Sequence, residues 1–113
     1  MGLLDRLRGR RRGTTRTGGH EDEAHLRAWF AAHAGVEAFV EPRTAVTETT
    51  MLMVDKDGEW TRRRVTGPDA ARKLAHALRM PVYDVQLVGY PQRMRDHDAR
   101  EKILRERARR DGR

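Results

Sequence analysis

The side chains best suited to chemistry in this sequence are cationic and aromatic rather than nucleophilic. Trp60-Thr61-Arg62-Arg63-Arg64 has the pattern of a strand whose alternate residues face the same way. Trp60, Arg62 and Arg64 then share one face, and Thr61, Arg63 and Val65 the other. An indole beside guanidinium groups can stack a nucleobase and hold phosphates. The same run also suits an edge strand protected by charge, or Arg residues paired with Glu48, Asp55 or Glu59. A second cationic group is Tyr90-Pro91-Gln92-Arg93-Met94-Arg95-Asp96-His97. It reads as a turn between sheet and helix, and Arg93 and Arg95 on such a loop are candidate ligand contacts. A third is the basic run 8–12, in which Arg10, Arg11 and Arg12 are candidate phosphate contacts.

Other chemistries find little support. His20-Glu21-Asp22-Glu23-Ala24-His25 spaces its His residues five apart, about 140° round a helix. The zinc-protease pattern needs H-E-x-x-H, which brings two His one turn apart. Asp55-Lys56-Asp57-Gly58 starts like a calcium loop, but the distal ligands are missing and Gly67 stands near the place of the twelfth-position Glu. A hairpin turn accounts for it. The sequence has no Ser and no Cys, so neither supplies a nucleophile, and disulfides and Cys-zinc sites are excluded. Glu48 and Glu59 can approach across a hairpin, but their separation is not set by sequence. No glycine-rich phosphate loop is present. The expectation is a non-enzymatic protein with no metal site and no cofactor.

Positioning these groups requires a small fold. At 113 residues there is room for one domain. Hydrophobic residues make up 37% and charged residues 36%, so a core forms only if part of the chain stays outside it. The charge distribution shows which parts. Residues 1–19 hold six Arg and one Asp; residues 20–91 hold nine basic and eleven acidic residues; residues 92–113 hold nine basic and five acidic. The net charge of +7 therefore belongs to the ends, the usual footprint of contact with nucleic acid or an anionic surface. Arg outnumbers Lys 21 to 3; a GC-rich genome would explain that choice but not the clustering.

Residues 1–19 read as a flexible basic arm. Leu3, Leu4 and Leu7 make an amphipathic turn too short for stable membrane binding or for a signal peptide. No apolar run approaches the ~18 residues of a membrane span, so a cytoplasmic location is expected. A helix is predicted over 21–34, with Leu26, Trp29, Phe30 and His33 on one stripe and Gly35 after its end. Strands are predicted over 36–40, 44–54 and 60–66, the last two joined by a hairpin at Asp57-Gly58. A second helix starts at Gly67-Pro68-Asp69 and presents Ala71, Leu74, Ala75 and Leu78. A fourth strand is predicted over 82–88. A charged helix is predicted over 96–110, capped by Asp96 and supported by acid-before-base pairs such as Asp98/Lys102 and Glu101/Arg105. Its apolar stripe is thin. The expected fold is α+β: an antiparallel three-stranded meander plus a fourth strand, packed by two helices, with a charged C-terminal helix. The domain is expected over 20–95, with the charged helix and tail over 96–113.

The stretches 36–44, 57–65 and 88–96 resemble an uncharacterised family of small basic actinobacterial proteins. The resemblance spans residues 20–98. It implies no activity and carries no catalytic residue, but it makes the Arg triplet and the Tyr-Pro-Gln-Arg turn part of the domain's identity. The α-β-β-β-α order is also similar to a double-stranded-RNA-binding domain, though a fourth strand follows the second helix and the Lys-rich helix start is lacking. The strand–turn–strand–helix unit is similar to small three-stranded DNA-binding modules. These are analogies of fold alone. Two functions are consistent with the residues. One is association with DNA, structured RNA or the ribosome, using the basic ends together with Trp60, Arg62 and Arg64. The other is docking of the C-terminal helix onto an acidic protein partner.

Overall fold

A computed structural model describes residues 19–112; the basic arm, with Arg10, Arg11 and Arg12, lies outside the described residues. Helix α1 (His20–Ala32) is followed by strands β1 (Glu37–Glu41), β2 (Thr50–Val54) and β3 (Trp60–Arg64). Helix α2 (Pro68–Ala77), strand β4 (Val82–Asp84), the single turn α3 (Val85–Val88) and helix α4 (Gln92–Gly112) complete the order. The sheet runs β3-β2-β1-β4. The first three strands form the expected antiparallel meander, and β4 lies parallel to β1 at the edge. The fold is α+β, as the sequence predicts.

Strand alternation divides the core between the two faces of the sheet. Ala38, Val40, Met51 and Met53 face α1 and α2, where Leu26, Ala71, Leu74 and Ala75 meet them. Trp29, Phe30 and Leu78 pack against this cluster half-buried, so the two aromatics serve as core anchors, as their helical spacing predicts. On the other face Phe39, Leu52 and Val54 are covered by Met94 of α4, with Trp60 and Val85 beside them.

Three element boundaries depart from expectation. The predicted strand 44–54 begins only at Thr50. Before it, the Thr44 hydroxyl accepts the amides of Val46 and Thr47 at 3.2 and 3.0 Å. This local turn competes with the sheet ladder, and it leaves Val46 90% exposed. The fourth strand stops at Asp84, whose carboxylate accepts the Gln86 amide at 2.8 Å and caps the single turn α3. Gly89, at φ +76°, ends that turn.

The last helix starts at Gln92, not near Asp96. Pro91 supplies the first carbonyl of the helix, accepting the Met94 amide at 3.1 Å, so the turn predicted over 90–97 is mostly helical. Asp96 is not its cap; it accepts from the Gln92 side chain at 3.0 Å. The early start puts Met94 onto the sheet, which no helix beginning at 96 could do. The charged helix is thus anchored in the core through its first turn.

The hairpin tip is pinned to α4 and to the segment that follows α1. Asp55 Oδ1 accepts the amides of Asp57 and Glu59 at 2.8 and 3.0 Å, and Gly58 takes φ +93°, as the Asp-Gly signal predicts. Gly58 also lies against α4: a Cβ there would sit 2.0 Å from the Arg93 carbonyl oxygen. On the other side the Lys56 amide donates to the Ala34 carbonyl at 3.0 Å. Among the described residues, no helix is long and apolar enough to cross a membrane.

Candidate functional site

Trp60, Arg62 and Arg64 alternate along β3 and share the face that carries Phe39 and Leu52. The register pairs Arg62 with Leu52 and Trp60 with Val54. The Arg62 guanidinium carbon lies 5.1 Å from the Trp60 ring centroid, a cation–π distance. Both groups are nonetheless engaged within the domain. Arg62 donates from Nε and Nη2 to the two oxygens of Glu41 at 2.7 and 2.9 Å. Trp60 Nε1 donates to Asp98 of α4 at 2.9 Å. Arg64 faces Thr50 in the register, but as the last residue of β3 it borders an open groove of about 280 Å3 on the helix-covered side of the sheet, with Glu23, Leu26, Val65 and Leu74.

Glu41 is the hub of this face. Besides Arg62 it accepts the Thr50 hydroxyl at 2.6 Å and the Tyr90 hydroxyl. Burial pushes the Glu41 carboxyl up, but the hydrogen bonds from Arg62, Thr50 and Tyr90 outweigh it and hold the group below the usual carboxylate range. The same contacts raise Tyr90 and Arg62, in each case chiefly through the bond to Glu41. Four chain segments therefore meet at one carboxylate.

Arg93 is spent in the same way. It donates to the Asp55 carbonyl at 2.7 Å, to Glu37 at 2.7 Å and to the Val54 carbonyl at 3.3 Å, which ties α4 to the ends of β1 and β2. Arg95 is exposed and donates to the Gln92 side chain at 3.1 Å. The structure therefore brings Trp60, Arg62 and Arg93 onto one face of the sheet but turns them toward protein partners. The carboxylates that accept from them are Glu41, Glu37 and Asp98, not the Glu48, Asp55 and Glu59 side chains that sequence proximity suggests.

On the opposite face Arg63 contacts Asp22 and His25 of α1, both at 3.3 Å. A guanidinium can only donate, so His25 Nδ1 is the acceptor, and Nε2 carries the proton toward the Thr61 hydroxyl 2.7 Å away. Burial lowers the His25 pKa, the Arg63 charge lowers it further, and Asp22 opposes both.

Exposed cations include Arg43, Arg72, Lys73 and Arg79 on other elements, and a longer row lies further along α4. From Asp98 onward every described residue is exposed except Glu106, which is half-buried. Arg100 donates to the Asp57 carbonyl at 3.3 Å and ties the helix to the hairpin tip. Beyond it Lys102, Arg105, Arg107 and Arg110 are exposed to solvent. Met94, His97, Glu101, Leu104 and Ala108 continue one helical line by 3- and 4-residue steps. Past the sheet that line carries Leu104, 54% exposed, and Ile103 beside it is 48% exposed.

One cluster has no motif in the sequence. His33, Asp55 and Glu59 come from the end of α1, the end of β2 and the residue before β3, and their ligand atoms lie within 4.8 Å of one another. Their separations along the chain match no ligand spacing, and Asp55 reads in the sequence as part of a hairpin turn or as an Arg partner. The docking of the hairpin against residue 34 is what assembles them.

No family model matches the sequence, and no curated protein and no solved structure matches it significantly.

Proposed function

We propose that this is a small non-enzymatic protein of the cytoplasm that associates with DNA or structured RNA, and that the distal half of α4 carries its phosphate contacts. The supporting observation is the division of labour among its Arg residues. Those over the sheet are held by Glu41, Glu37 and backbone carbonyls, whereas Lys102, Arg105, Arg107 and Arg110 project from an anchored helix. About 14 residues of helix reach ~21 Å beyond the anchor, enough to follow several phosphates. Anchoring at Met94 and Arg93 fixes the direction of that row, so little backbone order remains to be gained on binding. The basic arm adds to the same electrostatic attraction.

Fluorescence anisotropy of labelled duplex DNA and of a structured RNA tests this at ~50 and ~200 mM salt. Micromolar or tighter binding that collapses at the higher salt is expected. Absence of binding at the lower salt rejects it.

Docking onto an acidic protein is favoured instead by Ile103 and Leu104, two large apolar side chains exposed among the same cations. Capture of a partner that survives nuclease and is lost on deletion of residues 96–113 would support that role.

A further inference from the structure

We propose that His33, Asp55 and Glu59 form a binding site for a divalent transition-metal ion of the zinc type, a site independent of the nucleic-acid contacts above. His33 Nε2 lies 3.5 Å from Glu59 Oε2 and 3.9 Å from Asp55 Oδ2. A tetrahedral ion with bonds near 2.1 Å holds its ligands about 3.4 Å apart. All three ligand atoms lie within 4.8 Å of one another, so closure requires shifts of about 1 Å, which Glu59, 54% exposed at its side chain, can supply.

Two of the three ligands are oriented by hydrogen bonds of their own. His33 Nδ1 lies 2.7 Å from the Trp29 carbonyl. A carbonyl only accepts, so Nδ1 carries the proton and Nε2 is left to face the two carboxylates. That is the outer contact typical of a metal-bound imidazole. The Trp29 ring stacks on His33 at 3.7 Å between centroids, which fixes the ring plane and shields one side from water. Asp55 is 5% exposed. Its Oδ1 accepts two backbone amides; its Oδ2 accepts no hydrogen bond among the described residues and faces His33 from 3.9 Å, beyond hydrogen-bonding reach. The frame is rigid as well. Asp55 and Glu59 are tied by a backbone bond of 2.9 Å, and the Lys56 amide ties the hairpin to residue 34 beside His33.

One imidazole and two carboxylates suit a borderline ion such as zinc better than calcium or magnesium, which take six or more oxygens. Three protein ligands leave a position for water on the solvent side of Glu59.

Calorimetric titration of the full chain with zinc chloride at about pH 7.5 tests the site. One ion per chain is expected. His33→Gln and Glu59→Gln should each weaken binding by at least about tenfold, and His76→Gln should leave it unchanged. Circular dichroism establishes that the variants are folded, and the exposed Glu59 makes its variant the safer one. In a second measurement, cobalt(II) should broaden the amide NMR signals of residues 33 and 55–59 first. Absence of a saturable site, or binding indifferent to both substitutions, would overturn the proposal and leave the cluster as a set of polar contacts at the base of the hairpin.

Discussion

Arg62 and Glu41 face each other across two sheet positions and share two nitrogen–oxygen bonds, at 2.7 and 2.9 Å. This fork links β3 to β1 over the intervening β2 strand, and Thr50 and Tyr90 close on the same carboxylate. An Arg that looks like a ligand contact in the sequence is thus a structural tie. Arg62→Ala should lower the stability to urea by about 1–2 kcal/mol, since a half-exposed pair is partly screened. Arg62→Lys should recover only part of this, because an ammonium cannot reproduce the bidentate geometry. Neither change should alter nucleic-acid affinity more than about twofold, well under the 1.4 kcal/mol of a tenfold effect.

Arg93 and Arg95 are two residues apart and have opposite fates. Arg93→Ala removes bonds to two strand carbonyls and Glu37 and should cost about 2–3 kcal/mol. Arg95→Ala should stay within about 0.5 kcal/mol of wild type. Denaturation midpoints at constant slope distinguish them.

Gly58→Ala should destabilise the protein by more than about 2 kcal/mol. The new Cβ meets the Arg93 carbonyl at 2.0 Å and the His97 Cβ at 2.9 Å, and φ is +93°. Hydrogen exchange should quicken first in the hairpin tip and the first turn of α4, the two surfaces forced apart.

Stability should decline with acid in two windows. His25 has a folded pKa below its ordinary 6.5, so folding favours the neutral ring. Its contribution is complete above ~6.5 and is lost as pH falls through the lower folded value. Glu41 is likewise depressed; its contribution is complete above ~4.3 and is lost as pH falls through its folded value. Glu41→Gln should flatten the lower window alone, and His25→Gln the upper one, in thermal melts from about pH 8 to about pH 3.

The elements that sequence conveys well are those decided by local periodicity. The stripe of Leu26, Trp29 and Phe30, the Asp57-Gly58 turn and the Ala71/Leu74/Ala75 face all signal their environment within a few residues. Sequence misleads where a short-range hydrogen bond competes with periodicity. Thr44 folds its hydroxyl onto residues 46 and 47 and removes half of a strand of β-branched residues; Asp84 caps a turn where a valine-rich strand should continue. The start of α4 is hidden because Pro91 reads as a breaker, although a proline equally opens a helix. The Trp60/Arg62/Arg64 face is legible from alternation alone, but the partners of those residues are not. Glu41 and Asp98 lie 21 and 38 residues away and meet them only through strand pairing and helix docking. His33, Asp55 and Glu59 are invisible in the sequence for the same reason.

The most direct test of the central claim compares the salt dependence of nucleic-acid binding for the wild type and for the triple variant Lys102→Ala, Arg105→Ala, Arg107→Ala. All three side chains are exposed on the projecting part of α4, so the fold should be preserved. If α4 carries phosphate contacts, the slope of log K against log salt on duplex DNA should fall in magnitude by about 2–3, near 0.9 for each phosphate that no longer meets a cation. An unchanged slope with the variant folded would contradict a phosphate-binding role for this helix.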